Sequence, residues 1–529
     1  MSTRPNARKR ISAASRQDSQ PATAPGYPRL AVLLAAACSL FLIAIGTWAT
    51  YWADLRNDQF QLIHLGQTIY DGGRLYVDCW ENKPPGIAWI NALGLLLSGG
   101  RMIGPWLLPG VTAVACLALM TYAVGRLLSL SAACWTLILA SAVYTLRLYD
   151  TPSINPDFYS SMFELAACAM WLVSIDATTR KGRVFLALVA GLAWAASTGV
   201  KQTGIVGLLM LSVVAVLFAV FRRDEAKGWG RSCALAWLGF ALGIGAVIGA
   251  LAYRGTLGLA WEAAFEFNRQ LASMEALRGA ALSWPRAWAG LSPLTLALWL
   301  GLVGVAIGVW TGNAKKLVRP FAVALIAWWL IQVALALLGP SRSMRYWQST
   351  FPAMLWAAGI GIYLLEDNLR RAEKGHRGAV TIAYMTVVAF LAAPMFMHLR
   401  VGFARSDLTY ASGHPQRTRL AELGKQIEEL VPENRPIYVW SYDTGVYLSA
   451  KRRAASTFTY PRSREQMNAI LADLKTGQAQ AILIPQRPAA EFDHWCDEAC
   501  QETREQILAA YDMRSSTDHY TIWVRPAPP

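Results

Sequence analysis

The segment "DCWENKPPGIAWINALGLLLSGG" (residues 78–100) decides how this chain folds. Its apolar run opens at Lys83-Pro84-Pro85 and is over by Leu97. At about 1.5 Å per residue, roughly 14 helical residues reach only about 20 Å, whereas the hydrocarbon core of a bilayer is about 30 Å thick. The segment therefore reads as a membrane helix that does not cross.

The rest of the chain supplies the crossings. Of 529 residues, 54% are hydrophobic and only 16% charged, a balance that points to a polytopic membrane protein instead of a string of soluble domains. Stretches such as "LAVLLAAACSLFLIAIGTWAT" (30–50), "TGIVGLLMLSVVAVLFAVF" (203–221) and "AVTIAYMTVVAFLAAPMFMH" (379–398) are each long enough to span. Lipid offers no partners to backbone groups, so the spans are helices.

A net charge of +15 would suggest nucleic acid in a soluble chain, but here the basic residues lie between spans. They form short connectors at 178–183, 222–231, 315–319 and 370–377, and the tail 1–28 is basic too. The partner is membrane lipid, not nucleic acid, and the positive-inside rule places all five segments in the cytoplasm. Eleven spans are expected: 30–50, 104–125, 127–147, 158–176, 184–200, 203–221, 233–253, 287–310, 320–338, 350–366 and 379–398. Starting inside, every basic connector lands inside only if the Lys-Pro-Pro segment is not a crossing. Length and charge thus agree that 84–98 lies at the outer interface, with Pro84 and Pro85 in its first turn, where missing N–H groups cost little.

The expected architecture is an all-α polytopic membrane domain over 29–398, with interfacial helices in its first outer loop. A disordered cytoplasmic tail (1–28) precedes it and a small α/β extracytoplasmic domain (399–529) follows. In that last portion "RPIYVWSYDTGVYLSA" (435–450) and "AQAILIPQ" (479–486) read as strands. "TRLAELGKQIEELV" (418–431) and "REQMNAILADLKTG" (464–477) read as amphipathic helices. The chain is expected in the cytoplasmic membrane, N-terminus inside. Six of the eight Cys lie in or near spans as small apolar residues. Cys496 and Cys500 face an oxidising side, where four-residue spacing leaves their pairing open.

Function belongs on the outer face, which collects 51–103, 148–157, 254–286 and everything after 398. There is no Gly-rich phosphate loop, no HExxH and no Cys/His metal spacing. Asp58 and Asp157 each stand where a helix begins, so capping is the plain reading of both, and it also fixes a carboxylate at the membrane surface. Asp54 is a weaker candidate, and Asp71 and Asp78 read as turn residues. An interfacial Lys ordinarily snorkels to lipid phosphates, the plain reading of Lys83. Lys201 interrupts an otherwise continuous apolar hairpin, and a charge at such depth is usually functional. Arg342 and Arg345 flank an outer turn, and a guanidinium grips phosphate in a bidentate way. Separated acids and several cations at one lipid boundary suit a lipid phosphate.

In these residues the chain resembles the membrane glycosyltransferases of the GT-C type, specifically the protein-mannosyltransferase-like group (glycosyltransferase family 39) that includes lipid A aminoarabinose transferases. The resemblance rests on Asp58-Gln59, "GRLYVD" (73–78), Lys83-Pro84-Pro85, Asn155-Pro156-Asp157, Lys201-Gln202 and Arg345-Tyr346, over roughly residues 30–370. It implies transfer of a sugar from a polyprenyl-phosphate-sugar donor to a lipid, glycan or protein acceptor at the outer face, with inversion. Asp58 would be the general base and Asp157 would orient it or the acceptor. Lys83, Lys201, Gln202, Arg345, Tyr346, Gln59 and Asp78 would line the substrate site. The group commonly has Asp-Glu where this chain has Asp58-Gln59, which leaves a divalent metal open. The competing readings are a transporter or flippase of lipid-linked sugars and a non-catalytic polyprenyl-lipid binder on the same fold. Transporters place ionisable groups near the midplane and show internal repeats, and neither feature is evident here.

Overall fold

A computed structural model describes residues 27–52, 57–145, 152–221, 223–270, 318–338, 344–371, 415–486 and 495–526. The tail 1–26, Asp54, Arg342, the expected spans 287–310 and 379–398, and the boundary at 398 lie outside the described residues.

Among the described residues the membrane unit is built of helices: α1 (Tyr27–Trp52), α2 (Asn57–Tyr70), α3 (Gly86–Leu97), α4 (Ile103–Leu127), α5 (Leu130–Val143), α6 (Pro156–Asp176), α7 (Arg180–Val200), α8 (Val206–Phe221), α9 (Arg223–Tyr253), α10 (Leu257–Trp261), α11 (Val318–Leu338) and α12 (Phe351–Arg371). A π-helical turn (Glu262–Glu266) continues α10, and 3-10 turns Gln202–Ile205 and Met344–Thr350 precede α8 and α12. Among the described residues, five helices are long and apolar enough to cross a membrane, and each coincides with an expected span. Their outward faces carry Leu107, Val111, Phe185, Leu238 and Leu242, all exposed, a distribution that suits lipid and not water. The chain is a multi-pass membrane protein.

Helix α3 has 12 residues, about 18 Å of rise, so the opening segment is too short to cross, as its length predicts. It packs between α2, α4 and α7. Asn91, fully buried, donates from Nδ2 to Leu62 O at 3.0 Å and ties α3 to α2. Gly86 allows the start of α3 to meet the end of α7, since a Cβ there would stand 2.5 Å from Gly199 O. The bundle centre is α6, buried from Pro156 to Ser174 apart from Phe163 and Met170. Helices α7 and α9 cross backbone to backbone at Gly191, whose Cβ would stand 2.0 Å from Ala236 O, the small-residue contact typical of helices in lipid.

The C-terminal unit holds α13 (Pro415–Leu430), α14 (Gly445–Ala450), α15 (Arg464–Lys475) and α16 (Glu498–Leu508) around a sheet of order β1-β2-β4-β3. Its strands are β1 (Ile437–Val439), β2 (Ala481–Pro485), β3 (Asp512–Ser516) and β4 (Tyr520–Val524). β1 and β2 are parallel, while β2–β4 and β4–β3 are antiparallel. The expected strand over 435–450 is three residues long, because the chain turns at Ser441–Thr444 and continues as α14. Cys496 and Cys500 are disulfide-bonded.

This unit sits directly on α2. Thr459 Oγ1 donates to Gln61 Oε1 at 2.9 Å and Thr457 Oγ1 to Val77 O at 2.6 Å. The ring of His64 stacks on Tyr447 at 5.1 Å. Burial lowers the His64 pKa to about 4 from 6.5, so the ring is neutral when docked. Above pH 6.5 both folded and unfolded chains carry it neutral. As pH falls from 6.5 toward 4 only the unfolded chain takes up the proton, which costs roughly 3 kcal/mol across that window. The wild type is therefore expected to lose thermal stability between pH 6.5 and 4.5, with a flatter profile in His64→Gln. Equal slopes in the two proteins would count against a buried neutral His64.

Candidate active site

Five separate segments bring charge to one place. Asp58 lies in the first turn of α2, Lys83 in the loop before α3, and Asp157 in the first turn of α6. Lys201 occupies the break between α7 and the 3-10 turn at 202–205, and Arg345 and Tyr346 lie in the turn that leads into α12. The expectation that Asp157 caps α6 is corrected by the structure. Asn155 is the cap, its Oδ1 accepting from Phe158 N at 2.8 Å, and Pro156 follows at N1. That leaves the Asp157 carboxylate for other work. Asp58 likewise stands inside the first turn of its helix and directs its oxygens away from it.

The Asp58 carboxylate is engaged on both oxygens, Oδ2 with Arg345 Nη1 and Oδ1 with the hydroxyl of Tyr442, which reaches it from the C-terminal unit. Asp157 Oδ1 accepts from Lys201 Nζ, with the Asp157 side chain 3% exposed. The Tyr346 ring joins the two pairs, with Lys201 Nζ 4.9 Å and Arg345 Cζ 5.5 Å from its centroid, both cation–π contacts. Burial alone would raise the Asp58 pKa, but Arg345, the Tyr442 hydroxyl and Lys83 outweigh it and hold the carboxyl down to about 2.

A second group adjoins this one. Glu81 is 3% exposed, its Oε1 accepting from Lys83 Nζ at 2.7 Å and lying 3.6 Å from Arg462 Nη2. Burial opposes the Glu81 charge, yet Lys83 and Arg462 prevail and keep the carboxyl below its usual range. The Arg462 guanidinium lies over Trp80 at 5.6 Å and Tyr460 at 4.9 Å, and Tyr460 meets Tyr442 edge-on at 4.0 Å. Lys83 is positioned from behind by Tyr76, whose hydroxyl donates to Lys83 O at 2.7 Å. Tyr76 adopts φ 71°, a left-handed conformation that a bulky residue holds only where its surroundings enforce it. Here they do, because the ring is buried and Tyr76 N donates to Cys79 O at 2.7 Å.

Of the residues expected at the site, Asp58, Lys83, Asp157, Lys201, Arg345 and Tyr346 come together. Gln59 is buried beside Asp58 on α2. Gln202 spends its amide on Ala264 O at 2.6 Å, holding the π-helical turn against the site. Asp78 stands apart: it is exposed and accepts from Arg74 N at 2.6 Å within its own turn. Sequence reasoning missed Glu81, Tyr442, Tyr460 and Arg462. For Glu81 a signal existed, a carboxylate two residues before Lys83 at the mouth of the short helix. As to a divalent metal, each carboxylate of the cluster faces a Lys or Arg. No three His, Cys, Asp or Glu side chains come together as a metal needs among the described residues, so the donor set does not fit one.

Neither a family model nor a curated protein matches this chain. Solved structures do. The crystal structure of ArnT from Cupriavidus metallidurans bound to undecaprenyl phosphate is similar with a TM-score of 0.63 at 14% identity, over 96% of this chain and 99% of that one. Its apo state is similar at 0.58 and 14%, over 93% and 97%. The apo oligosaccharyltransferase of Archaeoglobus fulgidus is similar at 0.51 and 13%, over 87% of this chain and 69% of that one. These likenesses establish the fold, and the chain is a multi-pass membrane protein with the GT-C fold that ArnT and the archaeal oligosaccharyltransferase share.

Proposed function

We propose that this protein is a membrane glycosyltransferase that moves a sugar from a polyprenyl-phosphate carrier to a lipid, glycan or protein acceptor at the outer face of the cytoplasmic membrane. The observation that carries the reading is the convergence of Asp58, Arg345, Tyr346, Lys201 and Asp157 from segments far apart in sequence. The similar ArnT structure holds undecaprenyl phosphate, which supports a carrier of that class.

In this reading Asp58 takes the proton of the acceptor hydroxyl as its oxygen attacks the anomeric carbon. The bond from that carbon to the phosphate oxygen breaks on the opposite face, so the configuration inverts. The leaving lipid phosphate is already a stable anion and needs no acid. Charge growing on it meets Lys83, Lys201 and Arg345, groups already aimed there before reaction. Asp157 keeps Lys201 in place, and Glu81 does the same for Lys83. Gln59 and Gln202 belong to the walls of the same pocket. Residues 29–398 form the catalytic membrane domain, with 1–28 cytoplasmic and 399–529 outside. Tyr442 makes the outer domain part of the site.

Mass spectrometry of cell-envelope glycans and lipids, with and without the gene, tests the activity. One sugar is expected to be missing from one envelope component, and identical profiles would remove the assignment. Reporters fused after residue 100 and near residue 450 are both expected outside; a cytoplasmic signal at either would overturn the topology.

A further inference from the structure

The arrangement around Asp58 poses a chemical problem for the reading just given. A base needs an open, electron-rich lone pair, and each oxygen of this carboxylate already accepts a hydrogen bond, one from the Arg345 guanidinium and one from the Tyr442 hydroxyl. Held near 2, it is also a weak base. With the Arg345 ion pair in place the base is held back.

Arg345 is the partner that an anion can remove. Its Nε is buried with no hydrogen-bond partner among the described residues, and Asp58 is met by Nη1, so an anion that draws the guanidinium round gains a bond at Nε that Asp58 leaves unused. It shares the Tyr346 ring with Lys201, the next cation along the pocket. Among the described residues the cluster pairs four cations, Lys83, Lys201, Arg345 and Arg462, with three carboxylates, Asp58, Glu81 and Asp157. Lys83 and Arg462 share the single carboxylate of Glu81, an arrangement that an entering anion can use. Tyr442, by contrast, is neutral and is anchored from the other side by its edge-on contact with Tyr460.

Resting on the proposed function, we infer that the phosphate of an incoming carrier and Asp58 compete for the same guanidinium, so that phosphate binding takes Arg345 and frees one oxygen of Asp58 for the acceptor. Tyr442 then remains as the single partner that orients the freed base. The base is exposed only when a phosphate is in the pocket, which couples donor binding to readiness for attack.

The competition has a counterintuitive consequence: removing the base strengthens phosphate binding. With the full chain in detergent and undecaprenyl phosphate as probe, Asp58→Asn is expected to bind about tenfold more tightly than wild type, or about 1.4 kcal/mol. Arg345→Gln is expected to bind at least tenfold more weakly. The double variant Asp58→Asn with Arg345→Gln should bind no more tightly than Arg345→Gln alone, because the gain runs through the guanidinium. Inorganic phosphate should show the same order at lower affinity, and undecaprenol, which lacks the phosphate, should show no difference among the variants. Unchanged or weaker binding by Asp58→Asn would overturn the exchange, as would a gain that survives without Arg345. If undecaprenyl phosphate binds wild type no better than undecaprenol, the carrier reading fails and the exchange fails with it. If Asp58→Asn abolishes transfer without a gain in affinity, the exchange alone fails.

Discussion

Asp58→Asn is expected to abolish sugar transfer, by about three orders of magnitude, while the protein inserts normally and still binds undecaprenyl phosphate. General-base catalysis contributes typically 10²- to 10⁴-fold, and an amide cannot accept the proton of an attacking hydroxyl. The replacement is nearly isosteric, and Asn can still accept from Tyr442, so the loss falls on chemistry and not on the fold. The titration of Asp58 supports that separation. Its pKa falls from 3.8 to about 2 on folding, so its stabilising contribution is fully present above 3.8 and is lost only as pH falls through about 2. At neutral pH a folded, phosphate-binding, inactive Asn variant is the signature of a missing base. Missing envelope sugar in a strain carrying only the variant, with carrier binding retained in vitro, checks it. Undiminished transfer would remove Asp58 from the mechanism.

Much of this arrangement is written in linear properties of the chain. The short helix at 86–97 is legible because span length and the placement of Lys and Arg can be counted without knowing any contact. Asp58, Asp157, Lys201 and Arg345 are legible because a charge at the end of an apolar span is conspicuous, and such charges meet when the spans bundle. What cannot be read is which partner each one takes. Tyr442 lies 384 residues along the chain from Asp58, in a unit whose composition is that of an ordinary soluble domain. Nothing local distinguishes its hydroxyl from those of other tyrosines. The cap reading of Asp157 fails for a related reason: Asn155 is an equally good cap two residues earlier, and it takes that place while Asp157 pairs with Lys201, which sequence spacing does not bring near. Strand β4 alternates buried and half-buried positions over "YTIWV", as a strand packed on one face does.

The second large effect is expected at Lys201. Lys201→Met leaves Asp157 almost fully buried, 3% exposed, without its ion partner, and breaking one side of a buried pair costs about 3–5 kcal/mol. The consequence spreads further because of where Lys201 stands. It also acts electrostatically on Glu164, two turns along α6 from Asp157 and buried with Oε2 unpartnered among the described residues. Its ammonium lies 4.9 Å from the centroid of the Tyr346 ring, which Arg345 meets as well. The variant should therefore show a clear fall in thermal midpoint in detergent together with loss of transfer. Adding Asp157→Asn to Lys201→Met removes the uncompensated charge and should recover most of the lost stability, yet transfer should stay absent because no cation replaces Lys201 beside the leaving phosphate. Comparing the unfolding midpoints and envelope sugars of the two variants separates the structural role of the pair from its chemical one. A stable, active Lys201→Met protein would mean that the Asp157 pair serves neither.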